Sequence, residues 1–169
     1  MPNSNTFEIG PIRSVVEREV AASDGLWIDP FAADKDYADV TNDLNPEYDC
    51  DHNQKALAFL EGFDDGSVDG GVLYDPPYSP RQIKEVYDRV GLETDMQTTQ
   101  ARTWSNWKEQ IGRVCAPGAT VVSFGWRSGG VGMTHGFEKR EILLVPHGGQ
   151  HNDTICVVED HRPGGGGRQ

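Results

Sequence analysis

The sequence predicts an α/β domain built on a mostly parallel sheet, with an antiparallel pair of strands at its C-terminal edge. Two observations carry this. Apolar runs of strand length alternate with stretches whose apolar residues recur at helical spacing. The last two runs, 141–145 and 154–159, are joined by the loop 146–153, which is too short for a parallel crossover. A chain of 169 residues without an internal repeat suits one compact domain with its own core.

The elements follow in order. Residues 11–22 place Ile12, Val15, Val16 and Val20 on one helical face, with Pro11 in the first turn and Gly25 beyond the end. Leu26-Trp27-Ile28 is a short strand that stops at Asp29-Pro30, and 39–42 is a weaker one. Ala56, Leu57, Phe59 and Leu60 suggest a short helix or turn. Residues 68–74 read as a buried strand closed by Asp75-Pro76-Pro77. Ser79 is an N-cap, Pro80 occupies the first helical position, and Ile83, Val86, Tyr87 and Val90 follow until Gly91 ends the helix. Trp104, Trp107, Ile111 and Val114 mark another helix, Pro117-Gly118 a turn, and 119–126 a strand. Trp104, Trp107 and Trp126 are read as core residues. The first six residues and the glycine-rich end, 161–169, are expected to be flexible, which leaves 7–160 as the domain.

Composition narrows the function. Lys and Arg number 15 against 27 Asp and Glu, a net charge of -12, and only Lys35, Lys55, Lys84, Lys108 and Lys139 are lysines. So acidic a chain repels phosphate at long range, which argues against nucleic acid. The alternative is adaptation to a salty cytoplasm, as in a halophilic archaeon or its virus, where molar salt shortens the Debye length to about 3 Å. No apolar run reaches bilayer length, and no secretory leader is visible at the N-terminus, so a cytoplasmic protein without a membrane partner is expected. Cys50, Cys115 and Cys156 lie far apart and read as free thiols. No metal is expected: His147 and His151 flank a glycine turn rather than sharing a helix face.

Three predicted strands end in polar clusters: Asp29-Pro30-Phe31, Asp43-Leu44-Asn45 and Asp75-Pro76-Pro77-Tyr78. A parallel sheet gathers such ends at one edge, where ligands bind. The last cluster is the sharpest. Two prolines lock two φ angles and remove two N–H donors. The turn so stiffened presents a carboxylate, carbonyl oxygens and an aromatic ring. A planar amine suits it, donating one proton to Asp75 and one to the Pro76 carbonyl, with its ring stacked on Tyr78.

Asp-Pro-Pro-Tyr after a strand resembles the catalytic motif of the S-adenosylmethionine-dependent DNA amino-methyltransferases, and the segment from Ile142 to Thr154 is similar to compact phage and prophage adenine methylase-like proteins. The segments Phe7-Glu8-Ile9-Gly10, Trp27-Ile28-Asp29-Pro30-Phe31-Ala32, Asn42-Asp43-Leu44-Asn45 and Pro117-Gly118-Ala119-Thr120 resemble the accompanying motifs in the family's order. The resemblance implies a Rossmann-like class I methyltransferase sheet and S-adenosylmethionine as cofactor. It implies that Phe7, Ile9, Asp29, Pro30 and Phe31 face the methionine and sulfonium end, and that Asp43, with Asn45 beside it, faces the ribose. It implies Asp75, Pro76, Pro77 and Tyr78 as the catalytic group acting on adenine N6 of a flipped base. DNA is the implied partner, bound weakly by an isolated subunit. No separate recognition domain is expected in these residues, so specificity is expected to fall to loops, a second subunit or a partner; Arg127, His135, His147 and His151 are the candidate substrate contacts. The sequence departs from the family at Ala33-Asp34-Lys35-Asp36, where glycines are usual, and at Lys55, where an acid is. The same motif leaves open a planar amine in RNA, a free nucleotide or a protein glutamine, and a fold that binds nucleic acid or protein without turnover.

Overall fold

Residues 7, 9–93, 101–146 and 152–164 are described by the structure, a computed structural model. Their elements are α1 (Gly10–Ala21), β1 (Trp27–Asp29), β2 (Val40–Thr41), α2 (Ala56–Glu61), β3 (Gly71–Tyr74), α3 (Pro80–Arg89), α4 (Ala101–Val114), β4 (Thr120–Gly125), a 3₁₀ turn (Met133–His135), β5 (Phe137–Val145) and β6 (Thr154–His161). The six strands form one sheet in the order β2-β1-β3-β4-β6-β5. The first four are parallel, and β6 runs antiparallel to both β4 and β5. No helix among the described residues is long and apolar enough to cross a membrane.

The sheet is the middle of three layers. Ile12, Val15 and Val16 of α1 pack with Trp27, Leu73, Val122, Phe124 and Val158 on one face. On the other, Phe59 and Leu60 of α2, Ile83 of α3 and Trp107 and Ile111 of α4 pack on Ile28, Val72 and Val121. All four residues of β3 are buried, as a strand covered on both faces requires. Gly71 lies so close to the Trp27 ring and the Thr120 carbonyl that a Cβ there would fall 2.1 Å from that oxygen. Glu19 of α1 is ion-paired to Arg140 of β5 at 2.6 Å, which ties the helix to the antiparallel edge.

The expected elements are present, with shifted limits. β3 begins at Gly71, and Val68 instead makes an isolated bridge to Cys115. β5 begins at Phe137, not at residue 141. Its charged run Glu138-Lys139-Arg140 reads as loop, yet it pairs with β6 across a bulge between Lys139 and Glu141. β6 runs on to His161, which is buried, one residue past the expected domain end. Trp126 is exposed rather than in the core. Residues 1–6, 165–169 and the candidates His147 and His151 lie outside the described residues.

The link from β1 to β2, 30–39, contains no helix. Parallel neighbours usually need a longer crossover; here the strands are so short that a bare loop closes the distance. Tyr37 stacks on Phe7 at 5.7 Å and packs with Ala38 against the α1-side core. The loop's other support is Asn42, which is fully buried. Its amide Nδ2 donates to the Pro30 and Gln54 carbonyls, both at 3.0 Å, while its Oδ1 accepts from the Gln54 N–H at 3.1 Å. Its main chain bonds Asp29 O and Ala32 N. Asn42→Ala strands these buried groups without partners, so it is expected to lower the unfolding free energy by roughly 2–4 kcal/mol, measured by urea denaturation.

Candidate functional site

The turn after β3 is built as its prolines suggest, with further fasteners. Ser79 caps α3, its Oγ accepting from the Gln82 N–H at 3.3 Å. The Gln82 side chain reaches back and accepts from the Tyr78 N–H. The Ser79-x-x-Gln82 spacing is a capping-box signal that could have revealed this role. From α4, the Trp104 indole donates to the Pro77 carbonyl at 2.8 Å. The Tyr78 hydroxyl donates to Asp75 Oδ1, which folds the ring back toward the carboxylate it follows. Burial raises the Asp75 pKa to about 6, with the Tyr78 hydrogen bond opposing the shift. Burial, and then the neighbouring Asp75 charge, hold the Tyr78 hydroxyl well above its usual range.

Two more carboxylates stand at the same edge. Asp29, at the end of β1, is 2% exposed and accepts from the Phe31 N–H at 2.9 Å. Burial raises its pKa strongly, and the charges of Asp75 and Asp43 add to the effect. Asp43, just past β2, accepts from the Ala33 N–H at 3.0 Å and the Asn45 N–H at 2.8 Å. Burial raises its pKa too, against these bonds. Ala33 has φ +52°, the left-handed conformation that favours glycine. It stands in the stretch where the resemblance expects glycines. The Asp43 carboxylate holds its N–H, and the Cys50 thiol donates to its carbonyl at 3.0 Å.

These loops enclose a cavity of about 340 Å³. Of the sequence-predicted residues, Phe7, Pro30, Phe31, Asp43, Asn45, Asp75 and Pro77 line it. Asp29 is buried close enough to Asp75 and Asp43 to feel their charges, and Ile9 packs on the α1-side core at the N-cap of its helix. Tyr78 stands beside the cavity, on Asp75. The sequence reading missed Lys35, Tyr48, Lys55, Tyr87 and Trp107, which also line it. Lys55 Nζ lies 5.8 Å from the Tyr87 ring centroid, a cation–π distance. The structure does not bring the outlying candidates together. Arg127 is exposed just beyond β4, whereas His135 lines a separate cavity with Gly112, Phe137 and His161, at the start of β5 and the opposite edge of the sheet.

Clustered carboxylates raised in pKa by lost solvation favour a cationic ligand, because a positive charge relieves their mutual repulsion. Phe7, Phe31 and Trp107 offer apolar walls beside them. Sulfonium charge and flat rings fit this arrangement, and the left-handed Ala33 supplies the turn that a glycine otherwise would.

No family model matches the sequence, and no curated protein matches it. Solved structures do. TrmN from Thermus thermophilus is 15% identical, with a TM-score of 0.58 over 94% of this chain and 53% of its own. PH0851 is 13% identical, with a TM-score of 0.50 over 87% and 45%. The protein yhhF from Escherichia coli, described as a methyltransferase, is 12% identical, with a TM-score of 0.49 over 90% and 85%. The chain spans about half the length of the first two. The likeness to TrmN shows the fold alone, a Rossmann-like α/β sheet, mostly parallel with an antiparallel C-terminal pair.

Two outcomes follow from the loop and its charges. Ala33→Gly relieves a left-handed alanine and is expected to stabilise the protein by roughly 1 kcal/mol, read from the urea midpoint. Asp75 binds its proton more tightly folded, near pH 6, than unfolded, near 3.8. Its contribution to stability therefore falls as pH rises from about 4 to about 6, then levels, for a total on the order of 2–3 kcal/mol. Asp75→Asn should flatten the stability profile in that window, with the remaining slope left to Asp29 and Asp43.

Proposed function

We propose that this chain transfers the methyl group of S-adenosylmethionine to the N6 amine of an adenine in DNA. The observation that supports it most is the placement of a desolvated Asp75 carboxylate, at the end of a buried parallel strand, on the cavity that Phe31, Asp43 and Asn45 also line. The fold implies S-adenosylmethionine as the methyl donor, and when bound it supplies an electrophilic methyl next to a positive sulfonium. Asp29, Asp43 and Asp75 favour that charge. Asp43 and Asn45 would meet the ribose, and Phe31 with Trp107 the apolar parts, all four lining the one cavity. Asp43 keeps acceptor capacity after its backbone bonds to Ala33, Leu44 and Asn45, since each carboxylate oxygen carries two lone pairs.

Asp75 and the Pro76 carbonyl would hold the two protons of the exocyclic amine. Drawing the protons into these bonds turns the nitrogen lone pair out of conjugation and aims it at the methyl. Asp75, with a pKa near 6, then takes up the proton released when the N–C bond forms and passes it to solvent. No covalent bond to the protein is needed; orientation and fixed charges supply the rate. The incoming amine competes with the Tyr78 hydroxyl for Asp75, so the hydroxyl would give up that bond while the Tyr78 ring, held at Trp126, serves as a face for the base. The acidic surface makes DNA binding by an isolated subunit weak, and screening by salt relieves the repulsion.

The test has two parts. Calorimetry should detect S-adenosylmethionine binding at high salt; no binding sinks the enzyme reading. Tritiated methyl should pass to unmodified DNA, with RNA, adenosine and a glutamine peptide as parallel acceptors. Label confined to one of these reassigns the substrate. Asp75→Ala should lower transfer roughly 10²- to 10³-fold and weaken cofactor binding far less, because Asp29 and Asp43 remain. Because the active form of Asp75 is the carboxylate, kcat/KM should rise with pH up to about 6 and level above it. A flat profile from pH 5 to 8 removes Asp75 as the proton acceptor.

A further inference from the structure

Trp126 is unlike the other three tryptophans. Trp27 and Trp107 are buried, and Trp104 is half-buried with its indole bonded to the Pro77 carbonyl. Trp126 is 41% exposed, yet it is not loose: its ring meets Tyr78 edge to face, with centroids 5.6 Å apart and planes at 73°. It directly follows β4, whose Ser123 pairs in parallel with Tyr74. Its backbone therefore leaves the sheet at the same edge as Asp75. Two nearly perpendicular rings beside a carboxylate form a corner, in which a flat heterocycle can lie on one face while its edge meets the other. Leaving an indole this open to water forgoes part of its burial energy and keeps its free face available beside Asp75.

The loop that presents Trp126 is clamped from beneath. Glu159 of β6 is 0% exposed, and its carboxylate accepts the N–H groups of Val131 at 2.6 Å and Gly132 at 3.1 Å. Gly130 has φ +61°, and a Cβ there would lie 2.2 Å from Glu159 Oε2. From α4, Lys108 Nζ donates to the Gly130 carbonyl at 2.5 Å. Burying a carboxylate is costly unless it is well bonded, and here its bonds go to the loop backbone. The clamp fixes a segment whose one large exposed ring stands at Tyr78.

We propose that Trp126 and Tyr78 are the two walls of a corner that holds a planar, amine-bearing base at Asp75, with Glu159 as the positioning residue that sets the Trp126 loop. This rests on the methyl-transfer reading of the same site. The base is an adenine outside its helical stack, since only an extruded or unpaired base can reach a ring beside Asp75.

Acrylamide quenching of tryptophan fluorescence in the full chain tests the corner without turnover, with adenosine as the probe. Adenosine should shield the wild-type protein from acrylamide and leave Trp126→Phe quenching unchanged. In methyl transfer to a single-stranded oligonucleotide, Trp126→Ala should raise KM roughly 5- to 100-fold, with kcat within a few-fold, and Trp126→Phe should restore most of the loss. Glu159→Gln should open Trp126 to acrylamide and raise KM, with calorimetric affinity for S-adenosylmethionine unchanged. Lys108→Met, which frees the Gly130 carbonyl and so loosens the same loop while keeping the Glu159 bonds to Val131 and Gly132, should act in the same direction and guards against a Glu159 variant that does not fold. Absence of shielding by adenosine, or wild-type KM in Trp126→Ala, overturns the proposal. Failure of the methyl-transfer reading looks different: the wild type binds no S-adenosylmethionine and labels no acceptor, while adenosine shielding still decides the corner.

Discussion

The site depends on one constraint: β1 and β2 run parallel side by side with no helix between them. A crossover helix would fix the loop at its end by its own hydrogen bonds. Here side chains do that work through the backbone. Asn42 ties the ends of β1 and β2 to residue 54, Asp43 joins Ala33 to Asn45, and Asp29 closes the turn at Phe31. Each bond is made by a residue at or just past a strand end, so the groups that organise the loops also shape the cavity. The left-handed Ala33 follows from this. A carboxylate and a thiol hold a conformation that alanine alone disfavours.

The same arrangement stores electrostatic cost. Asp29 is buried, Asp43 and Asp75 are half-buried beside it, and burial is the first cause of every one of their raised pKa values. A fold selected for stability alone would separate them or set a cation between them. The ion pairs of Glu19 with Arg18 and Arg140 show that the chain does pair buried carboxylates with arginine where only structure is served. Strain concentrated at one sheet edge and relieved elsewhere is the pattern expected of a binding site that gains its partner charge from a ligand.

Much of this was legible in the residues. Helical spacing located α1, α3 and α4, the Ser79-Pro80 pair located a cap that the structure shows, and the polar strand ends located the edge where Asp43 and Asp75 meet one cavity. The parts that were not legible depend on contacts distant in sequence. The charged face of β5 hides a strand because its partner, β6, supplies the pairing. Helical period counted Trp104 and Trp107 as core correctly enough, but it says nothing of Trp126, whose position follows from the end of β4 and the ring of Tyr78. His135 and Arg127 lie in one glycine-rich stretch of sequence, yet the stretch turns back along the sheet over Glu159, and its two ends finish at opposite edges. Glu159 itself has no sequence signal: an acid ending an apolar run looks like a strand terminus meeting solvent, and only the fold places a loop across it.

The net charge of -12 acts differently at the surface and in the site. At the surface, its reach is set by the Debye length, about 8 Å at physiological ionic strength and about 3 Å at 1 M. Inside the cavity, charges are screened less than at the surface, and the field is set chiefly by the nearest groups. There the carboxylates lie at the strand ends, while Lys35 and Lys55 line the same cavity from the loop after β1 and the N-cap of α2. A ligand that carries its positive charge beside Asp29, Asp43 and Asp75 therefore meets attraction that added salt barely weakens, whereas a polyanion approaching from outside meets repulsion that salt removes. Under the proposed reading, salt should thus improve the approach of a nucleic-acid strand more than it harms the hold on a cationic cofactor, the opposite of the usual behaviour of proteins whose hold on nucleic acid rests on lysine and arginine. An acidic chain with an aromatic corner and a desolvated carboxylate is suited to contacts of short range and defined shape, and its charge sets the conditions under which those contacts can form.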